Sequence, residues 1–205
     1  PAASARSGVR FVLSRERSSR QPVADLFRDG RAPSTLMIWV VLAMDGAALD
    51  SLVLWLPTLA DRAGVAGQAA IQFTVILLLG GIFGAYLVGF CMDRFGAYRV
   101  LVPVELAAAA GVVALGFTLA APSLALAVLI GVCLAGGTPG AQGLLARLYP
   151  TAVRATGVGW AAGVGRAVGR AAPLAVGGLL TLGLAPDVIV ALCGVSPEAR
   201  LVLVQ

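Results

Sequence analysis

From Leu106 to Ala146 the chain carries no charged side chain, and from Ile71 to Met92 it carries none either. A water-soluble domain of 205 residues has to interrupt such runs to build a polar surface. This one is 59% hydrophobic and 12% charged, too little to supply that shell. A lipid bilayer removes the requirement, because an apolar helix of about 20 residues spans its hydrocarbon core. The chain is therefore expected to be an all-α integral membrane protein.

Cutting the sequence at charges and turn residues gives spans at 36–60, 69–92, 100–120 and 124–146, and a longer one at 155–184 that has length to spare for tilt. A sixth segment, 188–205, is interrupted by Pro197, Glu198 and Arg200, and its crossing stays open. Residues 1–35 read as a polar tail. Ala121-Pro122-Ser123 and Ala185-Pro186 read as tight turns between antiparallel helices. The chain starts without Met and without the apolar core of a signal peptide, so an internal or truncated start is expected.

Every basic residue is Arg, and their placement sets an orientation. Seven lie in the tail, Arg94 and Arg99 in the second loop, and Arg147 and Arg154 in the fourth. The intervening loops offer Arg62. Cytoplasmic loops are enriched in positive charge, so the tail is expected in the cytoplasm and the chain in the cytoplasmic (inner) membrane. In this setting the surplus of Arg reports topology rather than nucleic-acid binding. There is no His, no nucleophile–base pair, no cluster of metal ligands and no phosphate-binding Gly-rich loop ending in Lys. An enzyme and an ATP-driven pump are both disfavoured, and no metal or cofactor is expected. Cys91, Cys133 and Cys193 lie in or beside apolar runs and read as small buried hydrophobes.

Small residues recur every four positions: Gly80 and Gly84, then Gly81, Ala85 and Gly89, and later Ala161, Gly165 and Gly169, with Gly159 and Gly163 alongside. Such stripes let helix backbones approach closely in lipid. Gly136-Gly137-Thr138-Pro139-Gly140 is expected to bend or loosen its helix.

Two motifs carry a resemblance. The charged clip Gly89-Phe-Cys-Met-Asp93-Arg94-Phe-Gly96, on the short loop between two apolar runs, resembles the signature loop of the major facilitator superfamily. It departs after Gly96, where Ala97-Tyr98 replaces the usual basic pair and Arg99 is displaced by one. The stretch from Tyr149-Pro150-Thr151 through Arg154, Gly157, Trp160, Gly163 and Gly165 to Arg166 is similar to the loop and helix near the end of superfamily symporters. It is most similar in the branch that carries aromatic acids with protons. Arg147 stands where the sugar-carrying branch has an acid. Trp55-Leu56-Pro57-Thr58 and Ser7-Gly8-Val9-Arg10-Phe11-Val12-Leu13 point to the same aromatic-acid branch.

The resemblance implies the C-terminal half of a twelve-helix carrier, with substrate near the bilayer midplane between the halves. It implies an organic acid anion and a proton as partners, and an N-terminal six-helix half outside this sequence. The alternative is a truncated, transport-inactive fragment, or a half-transporter subunit that needs such a partner.

Charges within spans are costly and mark function. Asp45 and Asp50 lie midway along the first span, about 140° apart on a helix, so at most one faces a cavity squarely. A carboxyl group taken out of water can take up and release a proton near neutral pH, which makes both proton-coupling candidates. Arg166 and Arg170, one turn apart, can grip a carboxylate with paired hydrogen bonds. Arg166 falls inside the matched motif, whereas Arg170 replaces a normally small residue. Trp160 is a candidate for stacking on an aromatic substrate, although Trp39, Trp55 and Trp160 near span ends also suit interfacial anchoring. Gly89, Asp93, Arg94, Gly96, Arg99 and Arg154 form the gating and orientation set. The resemblance implies that Asp93 meets a helix N-terminus of the other half, with no partner in this chain. Glu105 is expected to be structural, pairing with Arg99 or Arg94.

Overall fold

The computed structural model describes residues 23–28, 30–62, 64, 67–119 and 123–194. The Ser7–Leu13 stretch, most of the tail, Ala121-Pro122 and the end of the sixth segment, with Pro197, Glu198 and Arg200, lie outside the described residues.

The described chain is helical. A 3-10 turn, Ala24–Phe27, leads into α1 (Ala32–Arg62), α2 (Gly67–Phe95), α3 (Ala97–Phe117), α4 (Leu124–Ile130) and α5 (Gly136–Leu148). α6 (Thr151–Thr181) and α7 (Pro186–Gly194) follow. A π-helical segment, Gly131–Ala135, joins α4 to α5 in one rod. Among the described residues four helical stretches are long and apolar enough to cross a membrane: α1, α2, α3 and the α4–α5 rod. α6, with 31 residues, is about 46 Å long but more polar, because it carries Arg166 and Arg170.

Outward faces are apolar. Phe83 is 72%, Phe117 81% and Leu174 79% exposed. Water would penalise this display, whereas lipid does not. The chain is an integral membrane protein.

Two apolar cores stack along the bundle. One gathers Leu52, Leu56, Phe73, Leu77, Val112, Leu115 and Ile130. The other, at the end bearing the α2–α3 loop, gathers Leu26, Leu42, Leu101, Leu145 and Tyr149. The region read as tail contributes to the second core. Leu26 is fully buried, and the Thr35 hydroxyl donates to the Leu26 carbonyl at 3.2 Å. The helix already opens at Ala32, ahead of the expected Leu36.

The small-residue stripes are packing seams. α2 meets the α4–α5 rod through Gly80, Gly81 and Gly84. A Cβ on Gly136 would lie 2.6 Å from the Gly84 backbone. α1 meets α6 through Gly46, Gly165 and Gly169, where a Cβ on Gly46 would come within 2.7 Å of the Gly165 carbonyl oxygen. Contacts along this seam rise together in number: Trp39 with Trp160, Gly46 with Gly165, and Trp55 with Pro173. α1 and α6 therefore run parallel. Gly89, Gly159 and Gly163 have open space around them instead of a packing partner.

The expected loosening of the α4–α5 rod falls one turn earlier than Gly136–Gly140. Pro139 has no N–H to donate to the carbonyl of Ala135, and its ring crowds that carbonyl. The helix widens over the turn that ends there.

Candidate functional site

Asp45 and Asp50 part company as their spacing requires. Asp45 is buried at 1% exposure inside the bundle, and Asp50 is exposed. The burial of Asp45 follows from its place among Ile38, Leu42, Ala48 and Leu52 on the inward stripe of α1. Asp50 Oδ2 sits in the gap over Gly169, 2.7 Å from where a Cβ would be. Arg170 adjoins that glycine, and Arg166 lies one turn before Arg170. Both arginines are exposed.

The helical seam thus gathers one carboxylate and two guanidinium groups near the midpoints of two 31-residue helices. No ion pair within 4.0 Å joins Asp50 to either Arg among the described residues. These three charges are open to an outside partner.

Closer to the start of α6, Trp160 stacks on Trp39 with ring centroids 6.4 Å apart and planes 9° apart. Phe27 meets Trp39 edge-on at 5.8 Å. Trp160 is half exposed and borders an open notch lined by Gly159, Gly163, Val164 and Ala167. Trp55 does more than anchor at an interface: its indole N–H donates to the Pro173 carbonyl at 2.8 Å, and its ring lies over Gly177.

At the loop end, the clip is built from separable parts. Gly96 holds φ at 94°, a backbone geometry that suits glycine, and so separates α2 from α3. Asp93 finds a partner within the chain, contrary to expectation: Arg147 at the end of α5 donates to it at 2.6 Å. Arg94 and Arg99 are exposed. Arg154 donates through Nε to the Tyr149 carbonyl at 3.2 Å, and the Tyr149 hydroxyl bonds to that of Thr35 at 3.1 Å. Gly157 lies directly against the Tyr149 ring, where a methyl group would collide with it. The Tyr149…Gly157 spacing is thus a packing requirement.

Sequence reasoning missed the inward position of Glu105. It is 5% exposed and sits beside the Gly137 backbone. The signal was available, since Leu101, Glu105, Ala108 and Val112 fall on one helical stripe.

The model of the Major Facilitator Superfamily matches residues 3–186 of this chain. The chain belongs to that superfamily. Among curated relatives, the 4-hydroxybenzoate transporter PcaK of Acinetobacter baylyi is 36% identical over 143 residues, covering 69% of this chain and 31% of the relative. The benzoate transport protein of the same organism is 34% identical over 180 residues, covering 85% and 38%. The gallate transporter of Pseudomonas putida is 31% identical over 196 residues, covering 94% and 44%. This superfamily chain spans less than half the length of each of these relatives.

Proposed function

We propose that this chain forms the six-helix C-terminal half of a twelve-helix secondary carrier that brings aromatic acid anions inward with protons. Its tail lies in the cytoplasm, and it resides in the cytoplasmic membrane. The observation that carries the reading is the trio Asp50, Arg166 and Arg170 on the open face of the α1–α6 seam. An Arg at the bilayer centre costs about 3 kcal/mol even on permissive insertion scales. Two of them facing hydrocarbon would be a heavy liability, so the face is read as lining a wet path or a protein partner. The trio carries one net positive charge, which suits a monoanion. The relatives named above are transporters of 4-hydroxybenzoate, benzoate and gallate, all aromatic carboxylates.

In this reading Arg166 grips the carboxylate, Arg170 adds positive potential, Asp50 balances it, and Trp160 offers a face to the ring. Asp45 and Asp50 are the proton-coupling candidates from the sequence. Asp93, with Arg94, Arg99 and Arg154, works at the cytoplasmic gate, and Gly89 leaves room for a close approach from the partner half.

The test is uptake of radiolabelled 4-hydroxybenzoate and benzoate by cells expressing this chain, alone and with a six-helix N-terminal half, with and without protonophore. Protonophore-sensitive uptake with the two halves together is expected. Absence of uptake in every arrangement, with insertion confirmed, would remove the assignment.

Asp93→Ala separates gating from stability. Its pair with Arg147 is 70% and 62% exposed, and such pairs contribute about 0–1 kcal/mol. Membrane level and thermal midpoint should therefore stay near wild type while uptake falls several-fold. Wild-type uptake would withdraw the gating role.

A further inference from the structure

Glu105 is a buried carboxyl group that neither the open-face trio nor the cytoplasmic gate uses. It is 5% exposed, on the inward stripe of α3. Its Oε1 lies 3.0 Å from the position a Cβ on Gly137 would take, and its carboxyl carbon 3.8 Å from it. Gly137 lies two residues after the π-helical segment Gly131–Ala135 and two before Pro139. The acid therefore rests just past the stretch of the α4–α5 rod whose hydrogen-bond ladder is irregular. The adjoining Gly136 packs against the Gly84 backbone of α2. Gly136 and Gly137 are thus held between α2 on one side and α3 on the other.

We propose that Glu105 is a proton-coupling residue of this carrier, working through the π segment. The inference rests on the proposed transport function. Charging a carboxyl group inside the bundle is costly, and protonation removes that cost. The charged and neutral forms also differ in size of hydration and in hydrogen bonding, a donor being gained on protonation. A π segment with glycines on its downstream side has the slack to adopt two arrangements. Gain and loss of one proton at Glu105 would bias those arrangements.

Several elements pack against α3, and they carry the following titratable and charged groups. The π segment carries Cys133, which is buried. α3 itself carries Tyr98 and Arg99. α2 carries Tyr86, Cys91, Asp93 and Arg94, α5 carries Arg147, and α7 carries Asp187 and Cys193. Asp45, the other buried acid, lies on α1, which packs against the α4–α5 rod. Asp45 and Asp50 lie on α1, whereas the atoms nearest a Cβ on Gly137 belong to Val104 and Glu105 of α3.

The experiment uses the complete carrier containing this chain and radiolabelled 4-hydroxybenzoate in membrane vesicles. It compares accumulation driven by a pH gradient with exchange of labelled for unlabelled substrate without a gradient. Exchange needs the alternating motion but no net proton movement. For Glu105→Gln, accumulation should fall at least tenfold, to the protonophore-treated level, with exchange within about threefold of wild type. Wild-type accumulation in this variant would overturn the inference alone. So would loss of both activities at wild-type membrane level, which would mean a structural role.

If the Gln protein is missing from the membrane, Glu105→Asp decides. A displaced pH midpoint of accumulation with exchange retained supports the coupling role, and an unchanged midpoint overturns it. A wild-type carrier without protonophore-sensitive uptake would overturn the parent reading and this inference with it.

Discussion

Arg166→Ala is expected to lower the uptake efficiency for aromatic carboxylates about 100-fold, with the protein still present in the membrane. A hydrogen bond to a charged partner is worth about 1.5–3 kcal/mol, and each 1.4 kcal/mol is tenfold in affinity. A guanidinium gripping a carboxylate by two such bonds belongs at the upper end. Arg166→Lys keeps the charge but loses the planar fork, so a smaller drop, about tenfold, should appear mainly in the concentration needed for half-maximal uptake. Because Arg166 is exposed in this half, its removal leaves no hole in either core, and thermal stability in detergent should hold. Arg166 falls inside the stretch Tyr149–Arg166 that resembles superfamily symporters, and Arg170 lies beyond it. Arg170→Ala should therefore cost less, within about fivefold, through lost positive potential rather than a lost grip. Initial rates at several substrate concentrations, corrected for membrane level, separate these cases. Uptake by Arg166→Ala within threefold of wild type would sink the anchor role.

Much of the architecture was legible because lipid imposes a length and a composition on each helix. The uncharged runs 71–92 and 106–146 overlap α2, the second half of α3 and the α4–α5 rod, and the four-residue spacing of Ala161, Gly165 and Gly169 located the α6 side of its main seam. The partner glycine, Gly46, went unnoticed because it stands alone in α1 with no stripe to announce it. The Asp93–Arg147 pair joins residues 54 apart in sequence, and nothing local signals that the two helix ends converge. The inward turn of Glu105 was legible but outweighed by nearby Arg94 and Arg99, which suggested a loop-end ion pair. The opposite fates of Asp45 and Asp50 were foreseen as a pair, since 140° on one helix cannot serve one face. Which of them turned inward depended on where α6 packs, and that lies outside α1's own sequence.

Gly46→Leu is expected to do the most damage to the fold. In lipid no hydrophobic force presses two apolar helices together, so close packing has to hold them. At this seam the approach is backbone to backbone: a Cβ on Gly46 would come within 2.7 Å of the Gly165 oxygen and 3.5 Å of the Gly169 Cα. Main-chain atoms cannot step aside as a flexible side chain can, so α1 and α6 have to part. Overpacking by a methylene or so already costs about 1–3 kcal/mol. A whole Leu side chain against backbone exceeds that, and most of the folded population should disappear. Parting the helices also lifts Asp50 away from Gly169 and lengthens the Trp55–Pro173 hydrogen bond, so uptake should vanish with the fold.

Gly163→Leu is the control. It adds the same bulk to the open side of α6, where nothing lies within 4 Å. It should keep a monodisperse peak in detergent and a near-wild-type thermal midpoint, while narrowing the notch beside Trp160 and reducing uptake. Size-exclusion profiles and thermal midpoints of the two variants read the difference. Equal profiles for Gly46→Leu and wild type would mean that the α1–α6 seam does not hold the bundle together.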